Sequence, residues 1–225
     1  METKPEATPA EAAPAAAKEI AAEEPQPAGP PPPLPEGTTV LHVGDSMADA
    51  LGKDLRLELL ARGLKAPLKY KEATYIPQWA GFSMGFDELV AQHDPDLVII
   101  TLGGNETAMP DPTERADAVK RLVKKVGDRP CLWVAAPLWP GAPNTGILDV
   151  IRENCAPCLY VDTNALVKPP MKVLGDGVHP TLPERKRWAK FMIRFLRHNR
   201  QADGERAWGF KTPLEAPPPE SESWE

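Results

Sequence analysis

Five short apolar runs, separated by segments whose apolar residues recur at helical spacing, predict a three-layer α/β/α sandwich around a five-stranded parallel sheet. The runs fall near residues 38–43, 67–72, 97–102, 130–135 and 157–161. The stretch from 37 to 212, about 176 residues between two proline-rich ends, is long enough for one domain with a full core. Polar, glycine-containing loops follow the first and third runs, which is where ligands bind in sheets of this kind.

The first run, Val40-Leu41-His42-Val43, leads into a helix expected over about Ala48 to Arg62, where leucines at 51, 55, 59 and 60 form one apolar face. The second run is followed by a helix expected from about Gly81 to Gln92. The third, Asp96-Leu97-Val98-Ile99-Ile100, is the most strand-like of the chain and precedes a helix over about Thr113 to Val126. The fourth holds Cys131-Leu132-Trp133-Val134, and a helix over about Thr145 to Glu153 separates it from the fifth. The last helix, about Pro183 to His198, carries Trp188, Phe191, Met192 and Phe195 at helical spacing, with arginines and lysines between them. Such a basic amphipathic helix allows contact with an anionic membrane, but the plainer reading packs the aromatic stripe on the sheet and solvates the cations.

The ends differ in composition from this body. Residues 1–36 contain ten prolines and ten alanines, with Ile20 and Leu34 as the only branched aliphatics. Such a segment cannot bury enough apolar area to offset its ordering entropy, so 1–36 is expected to be a disordered linker. The acidic, proline-rich stretch 213–225 is expected to be a disordered tail. These ends carry the acidity: the chain has a net charge of −6, yet the body 37–212 is about +3. One solvated basic helix face does not make a nucleic-acid site, and no nucleic-acid partner is expected. No run approaches the roughly 20 apolar residues of a membrane span. The N-terminus lacks the basic-then-apolar pattern of a signal peptide, although a Pro/Ala-rich lead also resembles the spacer after a removed signal or lipid anchor. The compartment is therefore open between cytoplasm and cell envelope, and the chain is expected to act as a monomer.

The three cysteines offer no zinc site, because Cys155-Ala156-Pro157-Cys158 has no second CxxC or histidine pair to complete four ligands. Cys131 reads as a core residue, and a local Cys155–Cys158 disulfide is the preferred expectation, against two inert thiols. Such a bridge would place the protein in an oxidising compartment. No GxGxxG or GxxxxGK sequence appears, so a nucleotide site has no support.

Three segments carry chemistry. Gly44-Asp45-Ser46-Met47 puts a serine where a buried strand turns into a helix, and the helix N-terminus stabilises negative charge there. The same tetrapeptide also spells an ordinary turn and N-cap. Thr101-Leu102-Gly103-Gly104-Asn105-Glu106 follows the third run and offers an amide donor. Asp176-Gly177-Val178-His179 pairs a carboxylate with an imidazole within one loop, whereas His42 lies inside the first run, His93 ends a helix next to Asp94-Pro95 and His198 is on the last helix. His179 is thus the candidate base. Trp139, in Pro137-Leu138-Trp139-Pro140-Gly141 after the fourth run, is placed to line a cleft.

In this order, over about Thr38 to Arg200, the three segments resemble the SGNH hydrolases, also called GDSL-type esterases. The resemblance implies the flavodoxin-like version of the α/β/α sandwich. It also implies a serine ester hydrolase that needs no metal or organic cofactor, with Ser46 as nucleophile, His179 as general base and Asp176 orienting it. Asn105, with Gly104 beside it, would donate to an oxyanion. The family's usual Asp after the asparagine is here Glu106. The family's glycine after the second strand, another oxyanion donor, has no clear counterpart: Gly81 is the first choice, Gly85 the second, and an amide near Thr74 the third. Short loops favour a small acyl group on a large alcohol, so an acetylated carbohydrate or cell-envelope polymer is the expected substrate. A lysophospholipase or thioesterase is the runner-up, and a non-catalytic scaffold that keeps the fold is the rival from another class.

Overall fold

The computed structural model describes Met1 and residues 32–202 and 205–218. The expected linker from 2 to 31 and the last residues of the tail lie outside the described residues. Five strands, β1 (Val40–Gly44), β2 (Leu68–Tyr70), β3 (Leu97–Thr101), β4 (Cys131–Val134) and β5 (Leu159–Val161), form one sheet in the order β2-β1-β3-β4-β5. Every pairing is parallel. Around it lie α1 (Ser46–Leu60), α2 (Ile76–Ala80), α3 (Phe86–His93), α4 (Ala116–Val126), α5 (Ile147–Asn154), α6 (Thr163–Leu166) and α7 (Leu182–Asn199). The sandwich is the one expected from the sequence.

Strand side chains alternate between faces, and the core divides accordingly. Val40, Leu97, Ile99, Leu132 and Val134 pack with α1 and α7, whereas Leu41, Val43, Val98, Ile100 and Trp133 face α2 to α5. Both faces are covered, which is why these strands read as continuous apolar runs rather than alternating ones. The aromatic stripe of α7 (Trp188, Phe191, Met192, Phe195) is buried in the first cluster. Among the described residues, no helix is long and apolar enough to cross a membrane. The chain runs from β1 outward to β2, then back across β1 to β3, so the connections diverge between β1 and β3. Crevices at such a switch point are where α/β sheets bind ligands.

Several boundaries differ from the expected ones. The helix expected over Gly81–Gln92 begins only at Phe86, as α3, and is preceded by α2, a short helix that periodicity missed: Pro77 supports the first turn of α2, and Gly81 closes it. Gly85, at φ +63°, then opens α3. The helix expected from Thr113 begins as a 3-10 turn, Pro112–Arg115, before α4. Sequence periodicity missed α6, a single turn whose first amides, on Asn164 and Ala165, donate to Asp162.

The described ends also pack. Leu34 is buried in the α1/α7 core cluster, and Leu214 packs against the same cluster. The fully buried Asn199 side chain donates to the carbonyls of Phe195 and Glu215 and accepts from the Glu215 amide. These contacts continue past the boundary at residue 212 that composition marks, because composition does not show that a few side chains of a proline-rich strap have sites waiting on the body.

The cysteine expectation is corrected. Cys131 and Cys158 form the disulfide, with Cα atoms 4.6 Å apart, and Cys155 is a free, buried thiol. The register explains the choice: Leu132 pairs with Leu159, so the residues just before them, Cys131 and Cys158, stand side by side at one end of neighbouring strands. Cys155 instead ends α5, and burial pushes its thiol up to about 11. In Cys131→Ser the lost closure of a 27-residue separation is expected to cost about 3 kcal/mol of stability in urea unfolding. In native unreduced protein no thiol should alkylate rapidly, and rapid labelling of Cys131 or Cys158 would contradict the pairing.

Candidate active site

Gly44 ends β1 so close to β3 that a Cβ there would lie 1.9 Å from the Thr101 carbonyl oxygen, and only glycine fits. The chain then turns directly into α1. Asp45 is the N-cap, with Oδ1 accepting from the Met47 amide at 2.8 Å, and Ser46 is the first helical residue. The turn-and-cap reading of this tetrapeptide is therefore correct, and it is the cap that places the half-buried Ser46 side chain at a helix N-terminus on the switch point.

The loop before α7 brings up the other half. A short hairpin, with Leu174 donating to His179 and Thr181 donating to Lys172, presents Asp176 and His179. Asp176 Oδ1 accepts from the amides of Val178 and His179 at 2.9 and 3.0 Å. These bonds, followed by that of the His179 side chain, hold the Asp176 carboxyl down at about 2. An ionised carboxylate can only accept. Its Oδ2 lies 2.9 Å from His179 Nδ1, so Nδ1 carries the proton and Nε2 offers its lone pair. Ser46 Oγ is 2.8 Å from that Nε2. Residues 133 positions apart thus form a continuous Ser–His–Asp relay.

His42, in contrast, is buried in β1 beside Thr101, and burial lowers it to about 3, so it stays neutral and outside this relay.

Asn105 lies in the 3-10 turn Gly104–Glu106 after β3. Its Nδ2 donates to the Thr74 carbonyl at 2.8 Å and lies 3.4 Å from Asp45 Oδ2. The side chain is thus aimed by groups from the ends of β1 and β2. Gly104 and Asn105 line one cleft of about 680 Å³ with Ser46, Asp176, His179 and Trp139. Trp139 is set there by α6: Asn164 donates to the Ala136 carbonyl and accepts from the Leu138 amide, pinning the strand's exit.

Two expected glycines are elsewhere. The Gly81 amide closes α2 on the Pro77 carbonyl, and its own carbonyl accepts from Lys125; the Gly85 amide donates to Phe82. Neither residue lines the cleft. At the end of β2 the cleft wall is instead Ala73, whose φ of +53° is one that favours glycine. This is the third of the three expected places, the stretch beside Thr74. Glycine spacing pointed away from it because an alanine occupies a left-handed position.

Glu106 was recognisable in the sequence only as a departure from the family's pattern. The structure gives the longer side chain a task. It is buried, and Oε1 accepts from the amide of Ile76, the first residue of α2, at 2.7 Å. It therefore ties the turn carrying Asn105 to the segment carrying Ala73 and Thr74. Burial raises its carboxyl. Burial likewise pushes Asp45 up to about 7, with the Glu106 charge acting in the same direction. Glu106→Asp, one methylene too short for the Ile76 amide, should let the Ala73–Thr74 segment shift, lowering kcat by up to about a hundredfold for a displacement near 1 Å. Glu106→Gln keeps the reach and should retain most of the rate; equal rates for both variants would refute this role.

An imidazole that can take a serine proton, beside a helix N-terminus and a fixed amide donor, is suited to acyl transfer through the serine. Among the described residues, no group of three His, Cys, Asp or Glu side chains could hold a metal ion.

No family model matches the sequence. Protein BcsX of Komagataeibacter xylinus is 26% identical over 117 residues, which is 47% of this chain and 45% of that protein, so the match spans less than half of that relative's length. Among solved structures, a peptidoglycan O-acetylesterase superposes with a TM-score of 0.62 at 11% identity, covering 70% of this chain and 90% of the other. A lipase/acylhydrolase from Enterococcus faecalis gives 0.55 at 13% identity, covering 72% and 96%. The chain has the fold of the SGNH hydrolases.

Proposed function

We propose that this protein is a serine ester hydrolase that removes small acyl groups, acetyl above all, from a carbohydrate or cell-envelope polymer. The observation that carries the reading is the 2.8 Å contact between Ser46 Oγ and His179 Nε2, with Asp176 fixed behind the imidazole. His179 takes the Ser46 proton as Oγ adds to the ester carbonyl. The oxyanion is held by backbone amides, with the Ala73 amide a candidate, and by the Asn105 side chain. As the tetrahedral adduct collapses, the C–O bond to the alcohol breaks and His179 returns the proton to the departing oxygen. Water, deprotonated by the same imidazole, then cleaves the acyl-serine and regenerates the hydroxyl. Asp176 keeps Nδ1 protonated throughout and stabilises the imidazolium.

The cleft favours a small acyl group. Its wall mixes Asp49, Glu72, Thr107 and Arg185 with Ala108, Trp139 and Pro143, which is no apolar tunnel for a fatty chain. The peptidoglycan O-acetylesterase among the structural neighbours supports the same choice. The Cys131–Cys158 disulfide supports a site of action outside a reducing cytoplasm. The experiment is direct: purified protein should hydrolyse 4-nitrophenyl acetate faster than 4-nitrophenyl palmitate and release acetate from an O-acetylated polysaccharide. Preference for the palmitate would favour a lipase, and a folded protein inert toward all three would favour a non-catalytic scaffold.

A further inference from the structure

The cleft is divided by chemistry as well as by position. On the side of β3 and β4 its wall is Ala108, Trp139 and Pro143, and on the side of β2, α1 and α7 it is Asp49, Glu72 and Arg185. Arg185 belongs neither to the Ser–His–Asp relay nor to the group that aims Asn105. It sits in the first turn of α7, six residues after His179, with only 16% of its side chain exposed. Its Nε donates to the Pro180 carbonyl at 2.9 Å, which fixes the guanidinium against the loop that carries His179. Nη1 stands 3.8 Å from Asp49 Oδ2, beyond hydrogen-bond reach, while Asp49 is already paired with Lys53 at 2.8 Å. Apart from this long ion pair to Asp49, no partner among the described residues hydrogen-bonds the outer N–H groups of the fork, which lines the cleft.

We propose that Arg185 recognises the alcohol part of the ester, and that this alcohol is hydroxyl-rich and uncharged, as in a neutral sugar; this rests on the ester-hydrolase reading above. The departing oxygen must receive its proton from His179 Nε2, so the alcohol stands over the loop that holds His179 and runs on into Arg185. A guanidinium there donates to sugar oxygens. Glu72 accepts from sugar hydroxyls, and Trp139 adds an aromatic side chain to the lining of the same cleft. Glu72 and Asp176 set two negative charges on a wall whose arginine already faces Asp49, which disfavours an anionic alcohol.

The test compares the wild type, Arg185→Gln and Arg185→Lys on three acetyl esters: 4-nitrophenyl acetate, acetylated xylo-oligosaccharide and acetylated oligogalacturonate. The quantity read is kcat/KM for the xylo-oligosaccharide divided by that for 4-nitrophenyl acetate. In Arg185→Gln this ratio should fall about tenfold or more through KM, as expected for one or two lost hydrogen bonds from a charged donor. In Arg185→Lys, which keeps the charge but not the fork, it should fall several-fold. An unchanged ratio, including equal loss on both substrates, would mean that Arg185 only holds the loop through Pro180 and would overturn the proposal. So would a wild-type preference for the anionic oligogalacturonate that disappears in Arg185→Gln. Wild-type protein that hydrolyses none of the three esters would overturn the hydrolase reading itself, and this inference with it.

Discussion

Ser46→Ala should abolish ester hydrolysis, lowering kcat by a factor on the order of 10⁴ or more while leaving the fold intact. The hydroxyl is the only atom removed, and Ser46 is half-buried at the start of α1, where alanine is a good helix former. The Asp45 cap, which accepts from Met47 rather than from Ser46, survives the change. His179→Ala should cost about as much, because the nucleophile and the base serve one step and losing either disables it. The double variant should then be little worse than either single one. Asp176→Asn should be intermediate to severe: the amide can still accept at one oxygen, but its NH₂ turned toward Nδ1 would favour the tautomer that carries the proton on Nε2. Rates with 4-nitrophenyl acetate, alongside thermal unfolding of each variant, provide the check. Additive losses for Ser46→Ala and His179→Ala would mean that the two do not act as a unit.

Asn105→Ala is expected to retain a reactive serine yet lose about a hundredfold or more in turnover, the roughly 3 kcal/mol that one oxyanion donor contributes in the transition state. Of the two Nδ2 hydrogens, one is committed to the Thr74 carbonyl at 2.8 Å. The other faces a longer contact, 3.4 Å to Asp45 Oδ2, and is the one a developing oxyanion can capture. The loss should fall on kcat more than on KM, since the ester carbonyl in the ground state makes a weaker demand on the donor than the oxyanion does. Asn105→Asp should be worse than alanine, because it puts an acceptor where negative charge develops, in the company of Asp45 and Glu106. A loss confined to KM would indicate that Asn105 binds substrate without stabilising the transition state.

Much of this was legible in the chain. Five apolar runs were enough for the sheet because a parallel sheet covered on both faces leaves few polar residues inside its central strands, as in Leu97–Thr101, where every residue is buried and the terminal Thr101 is the one polar side chain. Ser46, Asn105, Asp176 and His179 were legible because each lies in a short motif at an element's end, and the alternating fold carries the ends of β1 and β3 to the same edge. What was hidden depends on register and on long-range contacts. The bridge between Cys131 and Cys158 follows from strand pairing, whereas proximity in sequence favours Cys155 with Cys158. Ala73 was masked by its own side chain, since the search was for a glycine and the position holds a residue that seldom adopts a positive φ. Glu106 stood out only as an anomaly; its bond to the Ile76 amide spans 30 residues and has no local signature. Arg185 was read with the other cations of α7 as part of a solvated face, because helical periodicity does not register that the first turn of α7 borders the cleft.

The central claim, that Ser46 is an activated nucleophile, is tested most directly by covalent labelling with a fluorophosphonate and identification of the modified peptide by mass spectrometry. The account predicts one phosphonyl group per chain, located on Ser46, with labelling lost in Ser46→Ala and strongly slowed in His179→Ala. Folded wild-type protein that takes up no label, or that takes it up equally fast at another residue, would contradict it.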